Sequence, residues 1–302
     1  AQPAFLPYSV GWWIAVEIFK TVKTALLGIG PEGFLTAFTR FRPAAFNLGT
    51  LWNLRFASSS NEYFQILTTT GLIGLGTFIY LLLKVGKTLI KHLKKDDFNL
   101  GLKIILGLLL LQFLLIPANF LNLFVLFLLL ALTAKQFSTK KSFASNQLVK
   151  IANGVILVFV LVLFFFAGRV WMAEKSFKQA LDAAAANQGL ETYNKAIEAI
   201  RLNPFQEKYR VSYSQVNLAL ANSLAAKKDL SDQDRQNITQ LVSQAIAEAK
   251  AAAALDPNNP VYWENLAGLY RSLINFATGA QDWALAAYVQ AIRVDPANPA
   301  LR

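Results

Sequence analysis

The sequence contains no cysteine, one histidine and one methionine among its 302 residues. The lack of cysteine excludes disulfides and thiol chemistry, although it does not identify a compartment. The chain begins with Ala1, its only methionine is Met172, and no charged stretch followed by an apolar one opens it. We therefore expect a fragment of a longer protein. Only 16% of the residues are charged and 55% are hydrophobic, a balance that indicates a membrane protein.

Long apolar runs concentrate between residues 64 and 168. Four membrane spans are predicted there, at about residues 64–84, 99–116, 118–134 and 149–168. The two middle spans are short, and Ile116-Pro117-Ala118-Asn119 between them predicts a tight hairpin. The predicted fold class is therefore all-α, with about four transmembrane helices in a lipid bilayer.

The net charge of +11 is concentrated in one part of the chain, since residues 69–168 carry 10 basic and 2 acidic groups. The excess lies in two loops, whose lysines are Lys84, Lys87, Lys91, Lys94, Lys95 and Lys103, then Lys135, Lys140, Lys141 and Lys150. Lysine-rich loops stay in the cytoplasm. Four spans then put residues 1–63 and all residues after Arg169 on the extracytoplasmic side, and His92 in the cytoplasm. A charge excess confined to such loops also argues against a nucleic-acid partner.

Residues 9–27 show helical periodicity, with Glu17, Lys20, Thr21 and Thr24 on one face and Ile14, Ile18, Val22 and Ala25 on the other. Trp12 and Trp13 stand near the start of this segment. The pattern predicts an amphipathic helix lying in the membrane interface. The alternative is an ordinary surface helix on a soluble core.

The stretch Gly28-Ile29-Gly30-Pro31-Glu32-Gly33 matches the G-x-G-x-x-G pattern of dinucleotide-binding proteins. That pattern binds a dinucleotide only where it follows a strand and opens a helix. Here it follows a helical segment and contains a proline, so we interpret it as a turn that ends a helix.

A second helix is predicted to begin at Ser59-x-x-Glu62, which has the form of a capping box, and to continue to about His92. Asn61, Gln65 and Thr68 fall on one face of this helix. They form a polar cluster at the mouth of a membrane span.

Five stretches resemble the large extracytoplasmic loop and following helix of the O-antigen ligase and polymerase superfamily of bacterial membrane glycosyltransferases. They are Leu27-Gly28-Ile29-Gly30-Pro31-Glu32-Gly33-Phe34, Arg40-Phe41-Arg42-Pro43, Trp52-Asn53-Leu54-Arg55-Phe56, Ser60-Asn61-Glu62-Tyr63-Phe64-Gln65 and Gly71-Leu72-Ile73-Gly74. The resemblance covers about residues 9–134. Members of that family have further spans before the loop, so half of the membrane domain is expected to precede this chain.

The resemblance implies a protein of the bacterial inner membrane that transfers a glycan from a polyprenyl-diphosphate donor to an acceptor hydroxyl. Arg40, Arg42 and Arg55 would bind the diphosphate, since guanidinium groups bind phosphate oxygens in pairs. Their other interpretation is anchoring against anionic lipid. The loop has no aspartate-rich metal motif, so we expect transfer without a metal or other cofactor.

The candidate catalytic residues are Asn61, Glu62 and Gln65. Many family members carry a histidine, proposed as the base, where this chain has Ser60. Glu62 is the carboxylate next to the motif, and its alternative role is in the capping box. Two further options are a base in the preceding part of the protein and a reaction that relies on arginine-assisted departure of the leaving group with little base catalysis.

After Arg169 the composition becomes rich in alanine and polar residues with helical periodicity. Three helical segments each lead to a proline turn, namely Leu202-Asn203-Pro204, Leu255-Asp256-Pro257 and Val294-Asp295-Pro296. These resemble the second helix and terminal turn of tetratricopeptide repeats, with insertions because the prolines are further apart than in the regular repeat. Residues 262–270 supply the first helix of the last repeat. Such repeats form a solenoid that binds a protein partner, and the alternative is a helical spacer.

The predicted organisation is an extracytoplasmic loop with an amphipathic helix (1–63), transmembrane helices (64–168) and an extracytoplasmic tetratricopeptide-like solenoid (169–302). Ligase, repeat-unit polymerase and protein O-glycosyltransferase all remain open as activities. A non-catalytic membrane scaffold that recruits partners through its repeats is the alternative from another class.

Overall fold

The computed structural model describes residues 5–91, 97–134 and 147–301. Within these ranges the chain is all-α, with twelve α-helices and no strand. The predicted positions of His92, Lys94, Lys95, Lys135, Lys140 and Lys141 lie outside the described residues.

The helices form two compact units. The first comprises Ala1–Lys141 together with the C-terminal segment Val294–Arg302, and the second comprises Ser142–Arg293. The helices of the first unit are α1 (Tyr8–Glu17), α2 (Val22–Leu27), α3 (Phe34–Phe41), α4 (Glu62–Lys91), α5 (Asp97–Leu115) and α6 (Phe120–Ala134). The second unit has α7 (Gln147–Ala185), α8 (Gly189–Leu202), α9 (Glu207–Ala225), α10 (Asp232–Leu255), α11 (Pro260–Ser272) and α12 (Ala280–Val294), whose last residue begins the C-terminal segment.

The predicted amphipathic helix over residues 9–27 is interrupted. Helix α1 passes into a short 3₁₀ helix at Ile18–Lys20, and the extended backbone of Thr21 then restarts the chain as α2, with its hydroxyl accepting from the Thr24 N–H. A residue that caps a helix start has a non-helical backbone, so the preceding helix must end before Thr21. Ile14 and Ile18 are buried as expected, whereas Val22 of the predicted apolar face is 77% exposed.

Helix α4 has the predicted length but contains a sharp break at Gly71, where φ is 68° and ψ is −163°. The hydroxyls of Thr69 and Thr70 donate back to carbonyls of the preceding turn, a pattern that bends helices. The break frees two carbonyls, which accept from Ile29 N–H (3.0 Å) and Gly30 N–H (2.9 Å).

The glycine-rich turn that those amides belong to ends α2, as predicted, since Gly28 has φ 69°. A Cβ on Gly28 would lie 2.3 Å from the Thr69 carbonyl carbon. Because Gly28 and Gly71 have no Cβ, the backbone at the end of α2 can contact the backbone of α4 at its break.

The prediction of four spans is wrong. Two described helical stretches are long and apolar enough to cross a membrane, Glu62–Lys84 and Ile151–Ala185. The apolar parts of the other two predicted spans are Ile104–Leu115 and Phe120–Ala131, each between 10 and 17 residues long. At 1.5 Å per residue they fall short of the roughly 30 Å hydrocarbon core.

The hairpin predicted at Pro117 is present between α5 and α6. Its core contains Leu106, Leu109 and Phe113 of α5 and Leu126 and Leu129 of α6. The tip of the hairpin lies beside the start of α4, because a carboxylate oxygen of Glu62 accepts from Ala118 N–H at 2.7 Å.

Helix α7 runs without a break across the boundary predicted at residues 168 and 169. None of the most apolar stretch in this helix is buried against other described residues; Phe164, for example, is 73% exposed. Further along the same helix, Ala173 and Ala180 are fully buried against α8 and α9. One helix therefore has a half that needs an apolar surrounding and a half that belongs to a helical core.

Each predicted proline turn ends a helix, since α8, α10 and α12 stop at Leu202, Leu255 and Val294. The predicted first helix of the last repeat is α11. The residues predicted as insertions between repeats lie in long helices, with α10 reaching 24 residues. The core of this unit is alanine-rich, which lets neighbouring helices approach closely.

Candidate functional site

The extracytoplasmic loop predicted from the sequence folds around a small aromatic core. Phe38 of α3 meets Phe46 and Phe56 in edge-to-face pairs with centroids 5.5 and 5.6 Å apart. Such pairs add to the free energy gained by burying the rings. This core fixes the backbone on both sides of the two arginines described next.

Arg42 and Arg55 converge on a single carboxylate, that of Asp295 in the C-terminal segment of the same unit. One carboxylate oxygen accepts from Arg42 Nη2 at 3.1 Å. The other accepts from Arg55 Nη2 at 3.0 Å and Arg55 Nε at 3.2 Å. The Asp295 side chain is 0% exposed, the Arg42 side chain 1% and the Arg55 side chain 19%.

Local sequence explains where Arg42 points. It precedes Pro43, and a residue before proline avoids the helical conformation, so α3 ends here with Arg42 extended. Its guanidinium carbon lies 5.6 Å from the Phe38 ring centroid, and Nη1 donates to the Trp52 carbonyl at 3.3 Å. Burial lowers the pKa of Arg42, an effect that Asp295 opposes and the charge of Arg55 reinforces.

A second contact holds the C-terminal segment against the loop. The side-chain amide of Asn47 donates to the Ala297 carbonyl at 2.6 Å. The segment therefore makes both charged and neutral contacts with residues 42–55.

The three candidate catalytic residues lie at the start of α4, where each makes a hydrogen bond to backbone N–H. Asn61 Oδ1 accepts from Phe64 N–H at 2.8 Å, Gln65 Oε1 accepts from Ser59 N–H at 2.8 Å, and Glu62 bonds to Ala118 in the hairpin turn. The predicted capping box is wrong, because Asn61 occupies the capping position and Glu62 reaches the hairpin. An asparagine before the first helical residue wins this competition since it is a strong N-cap.

The structure brings Arg42 and Arg55 together, whereas Arg40 stands apart in its contacts. Arg40 is exposed, and its guanidinium lies 5.4 Å from the centroid of the neighbouring Phe41 ring. Buried hydroxyls without a partner occur at Ser59, Ser60 and Thr68, beside the candidate catalytic residues. Within the described ranges, no group of three or more acidic or histidine side chains could hold a metal ion.

Sequence reasoning did not identify Asp295 as part of this site. It stands in a proline turn like Asp256, whose carboxylate accepts from Asn258 N–H in its own turn at 3.3 Å. Nothing near Asp295 distinguishes the two, because the arginines lie 253 and 240 residues away.

The second unit, in which the repeats are predicted, has an apolar groove of about 460 Å³ between α10, α11 and α12. Tyr270 and Trp283 stack along it with centroids 6.2 Å apart, and Lys250 Nζ lies 5.5 Å from the Trp283 centroid. Trp263 also lines this groove, and its indole N–H donates to the Pro257 carbonyl at 2.9 Å.

No family model matches the chain, and no curated protein matches it. A solved structure to which the chain is similar is the TPR domain of Arabidopsis OM64. The two share 18% sequence identity with a TM-score of 0.33, over 44% of this chain and 90% of that chain.

Proposed function

We propose that the chain is part of a membrane glycosyltransferase of the O-antigen ligase and polymerase type, in the inner membrane of a bacterium. The observation that carries the proposal is the convergence of Arg42 and Arg55 on one carboxylate, because paired guanidinium groups bind phosphate oxygens in the same way. The loop that holds them leads into a helix long enough to cross a membrane. An enzyme acting on a lipid-linked diphosphate needs both.

In the proposed reaction the acceptor oxygen attacks the anomeric carbon of the donor glycan. The bond from that carbon to the diphosphate oxygen breaks, and polyprenyl diphosphate leaves with the bonding electrons. Arg42 and Arg55 stabilise the charge that develops on it. The scheme uses no metal or cofactor.

The acceptor proton passes to a base, for which Glu62 is the candidate in this chain. Its carboxylate is buried and oriented by Ala118 N–H. Asn61 and Gln65 hold the polar first turn of α4 around it. With Ser60 where the family has histidine, a base supplied by a preceding part of the protein is the alternative.

The proposed topology keeps the loop and the C-terminal segment on the extracytoplasmic side. Arg42 and Asp295 are hydrogen bonded, which requires an even number of membrane crossings between them. Two spans satisfy this condition, and a hairpin that enters and leaves on one side does not alter it. The lysine-rich loops then stay cytoplasmic.

The test is transfer of a labelled glycan from polyprenyl diphosphate by the full-length protein in liposomes. Loss of Arg55 in the Arg55→Ala variant should lower the rate on the order of 10²- to 10³-fold. Arg55→Lys should recover only part of it, because a point charge lacks the paired donors. Arg40→Ala, a control in the same loop, should lower the transfer rate less than Arg55→Ala does. Membrane insertion is checked separately, and normal turnover by Arg55→Ala would remove Arg55 from the mechanism and contradict the paired-arginine site.

A non-catalytic scaffold is the second candidate, and the apolar groove of the second unit favours it. We propose that α7–α12 form a tetratricopeptide-like solenoid whose Trp263, Tyr270 and Trp283 contact a protein partner, since aromatic side chains dominate such interfaces. A scaffold predicts that Trp283→Ala abolishes cellular function while Arg55→Ala does not. The enzyme predicts the opposite ranking.

A further inference from the structure

Asp295 closes the Arg42 end of the arginine site to any external ligand. Its own side chain is 0% exposed and that of Arg42 is 1% exposed, so no phosphate group reaches Arg42 while Asp295 is in place. If the arginines bind diphosphate, the C-terminal segment must leave first. We propose that residues 294–301 form an internal plug, in which the Asp295 carboxylate occupies the oxyanion site and a substrate diphosphate competes with it. This inference rests on the proposed function for the identity of the ligand.

Burial within the plug is concentrated at its charged contact. Asp295 is the fully buried residue of the segment, whereas Pro296, Pro299 and Ala300 are exposed. A neutral attachment is the hydrogen bond from Asn47 to the Ala297 carbonyl. Segments with few buried apolar contacts open at low cost in free energy. The carboxylate is the attachment that an anion can replace, and this replacement is the proposed route by which the segment is released.

One donor of the site is left over when a carboxylate fills it. Arg42 Nε is buried and has no hydrogen-bond partner. A carboxylate offers two oxygens, and here both are already bonded to guanidinium groups. A diphosphate offers more acceptor oxygens around each phosphorus. The site therefore has an unused donor for the ligand that we propose to displace Asp295.

The repeat architecture does not itself require this burial. Asp256 occupies the matching position of the preceding proline turn, where it is partly exposed and bonds within its own turn. An aspartate at this position can thus cap its turn without any arginine. The buried arginine contact belongs to Asp295, and Asp256 provides a matched control.

The experiment measures binding of inorganic pyrophosphate to the full chain in detergent by calorimetry. In the Asp295→Asn variant the competing carboxylate is gone, so affinity should rise on the order of 10-fold or more over the unsubstituted chain. Pyrophosphate should also raise the melting temperature of Asp295→Asn more than that of the unsubstituted chain. Asp256→Asn should behave like the unsubstituted chain. Unchanged or weaker binding in Asp295→Asn would overturn the plug.

A second measurement does not depend on that variant folding. Hydrogen exchange of residues 294–301 in the unsubstituted chain should speed up when pyrophosphate is added, because the segment is displaced. Exchange that stays unchanged at the highest pyrophosphate concentration would also overturn the plug. The transfer assay separates the two proposals, since tighter pyrophosphate binding by Asp295→Asn without any glycan transfer would keep the plug and refute the enzyme.

Discussion

The buried carboxylate of Asp295 pairs with two arginines of the first unit, a contact that no sequence motif indicates. The single negative charge of Asp295 is shared between two guanidinium groups that are largely withdrawn from water. A buried ion pair is not in itself a source of stability, but removing one partner leaves an uncompensated buried charge. The site is consequently sensitive to substitution on the aspartate side.

Asp295→Ala should destabilise the first unit by about 3–5 kcal/mol, because Arg42 keeps its charge without a counterion. Asp256→Ala removes one local hydrogen bond of a partly exposed group and should cost about 1 kcal/mol or less. The measurement is chemical denaturation of both variants in detergent. Equal losses would mean that the Arg42–Asp295 contact contributes nothing specific.

Individual residues mark the limit of prediction from this sequence. Arg40, Arg42 and Arg55 could be singled out because their stretches resemble a glycosyltransferase loop and because guanidinium groups bind phosphate oxygens. The structure brings Arg42 and Arg55 together on one carboxylate but not Arg40. Their counterion could not be singled out, since Asp295 is distant in sequence and its turn is like that of Asp256. The role of Asn61 as the cap was missed because Ser59 and Glu62 have the spacing of a capping box, which predicts a helix start at Ser59.

Helix α4 shows how two threonines and a glycine change an element whose length was predicted correctly. A Cβ on Gly71 would lie 2.5 Å from the carbonyl carbon and oxygen of Leu26. Its φ of 68° with ψ of −163° is also a conformation that only glycine adopts readily. The break is therefore built into the backbone contact between α2 and α4.

Gly71→Ala should destabilise the protein by about 1–3 kcal/mol or more through backbone strain and the contact with Leu26. Gly76→Ala is the matched control in the same helix, because nothing lies within 4 Å of a Cβ there. That substitution should be neutral or stabilise by about 0.5–1 kcal/mol. Unfolding in detergent micelles reports both values, and a neutral Gly71→Ala would mean that the break is not required.

Elements defined by local signals were the most predictable. The ends of α8, α10 and α12 follow from their proline turns, and the hairpin between α5 and α6 follows from Pro117. The number of spans was overestimated because apolar composition alone does not show whether a helix is long enough to cross the membrane. The interruption at Thr21 was missed because the helical alternation of polar and apolar residues continues across the break.

The second unit should fold without its membrane-length apolar half. Residues 169–293 keep the buried contacts of Ala173 and Tyr209, including the hydrogen bond from the Tyr209 hydroxyl to Glu174 at 2.7 Å. None of the most apolar stretch before them is buried against other described residues, and residues 294–302 belong to the first unit. Circular dichroism of this segment in water should show a helical fold with a cooperative melt. A disordered spectrum would mean that the helices need the rest of the chain.

Sidedness decides whether the proposed chemistry faces the acceptor at all. The chain carries no cysteine, so Ser58→Cys, Lys87→Cys and Ser223→Cys each introduce one reactive thiol at an exposed position. An impermeant thiol reagent on intact cells, with any outer barrier permeabilised, should label the first and the last but not Lys87→Cys. All three should react after the membrane is disrupted, which controls for burial. Labelling of Lys87→Cys in intact cells would place a lysine-rich loop outside and reverse the topology. Protection of Ser58→Cys alone would put residues 58 and 223 on opposite sides. That outcome would contradict the even number of crossings that the bond between Arg42 and Asp295 requires.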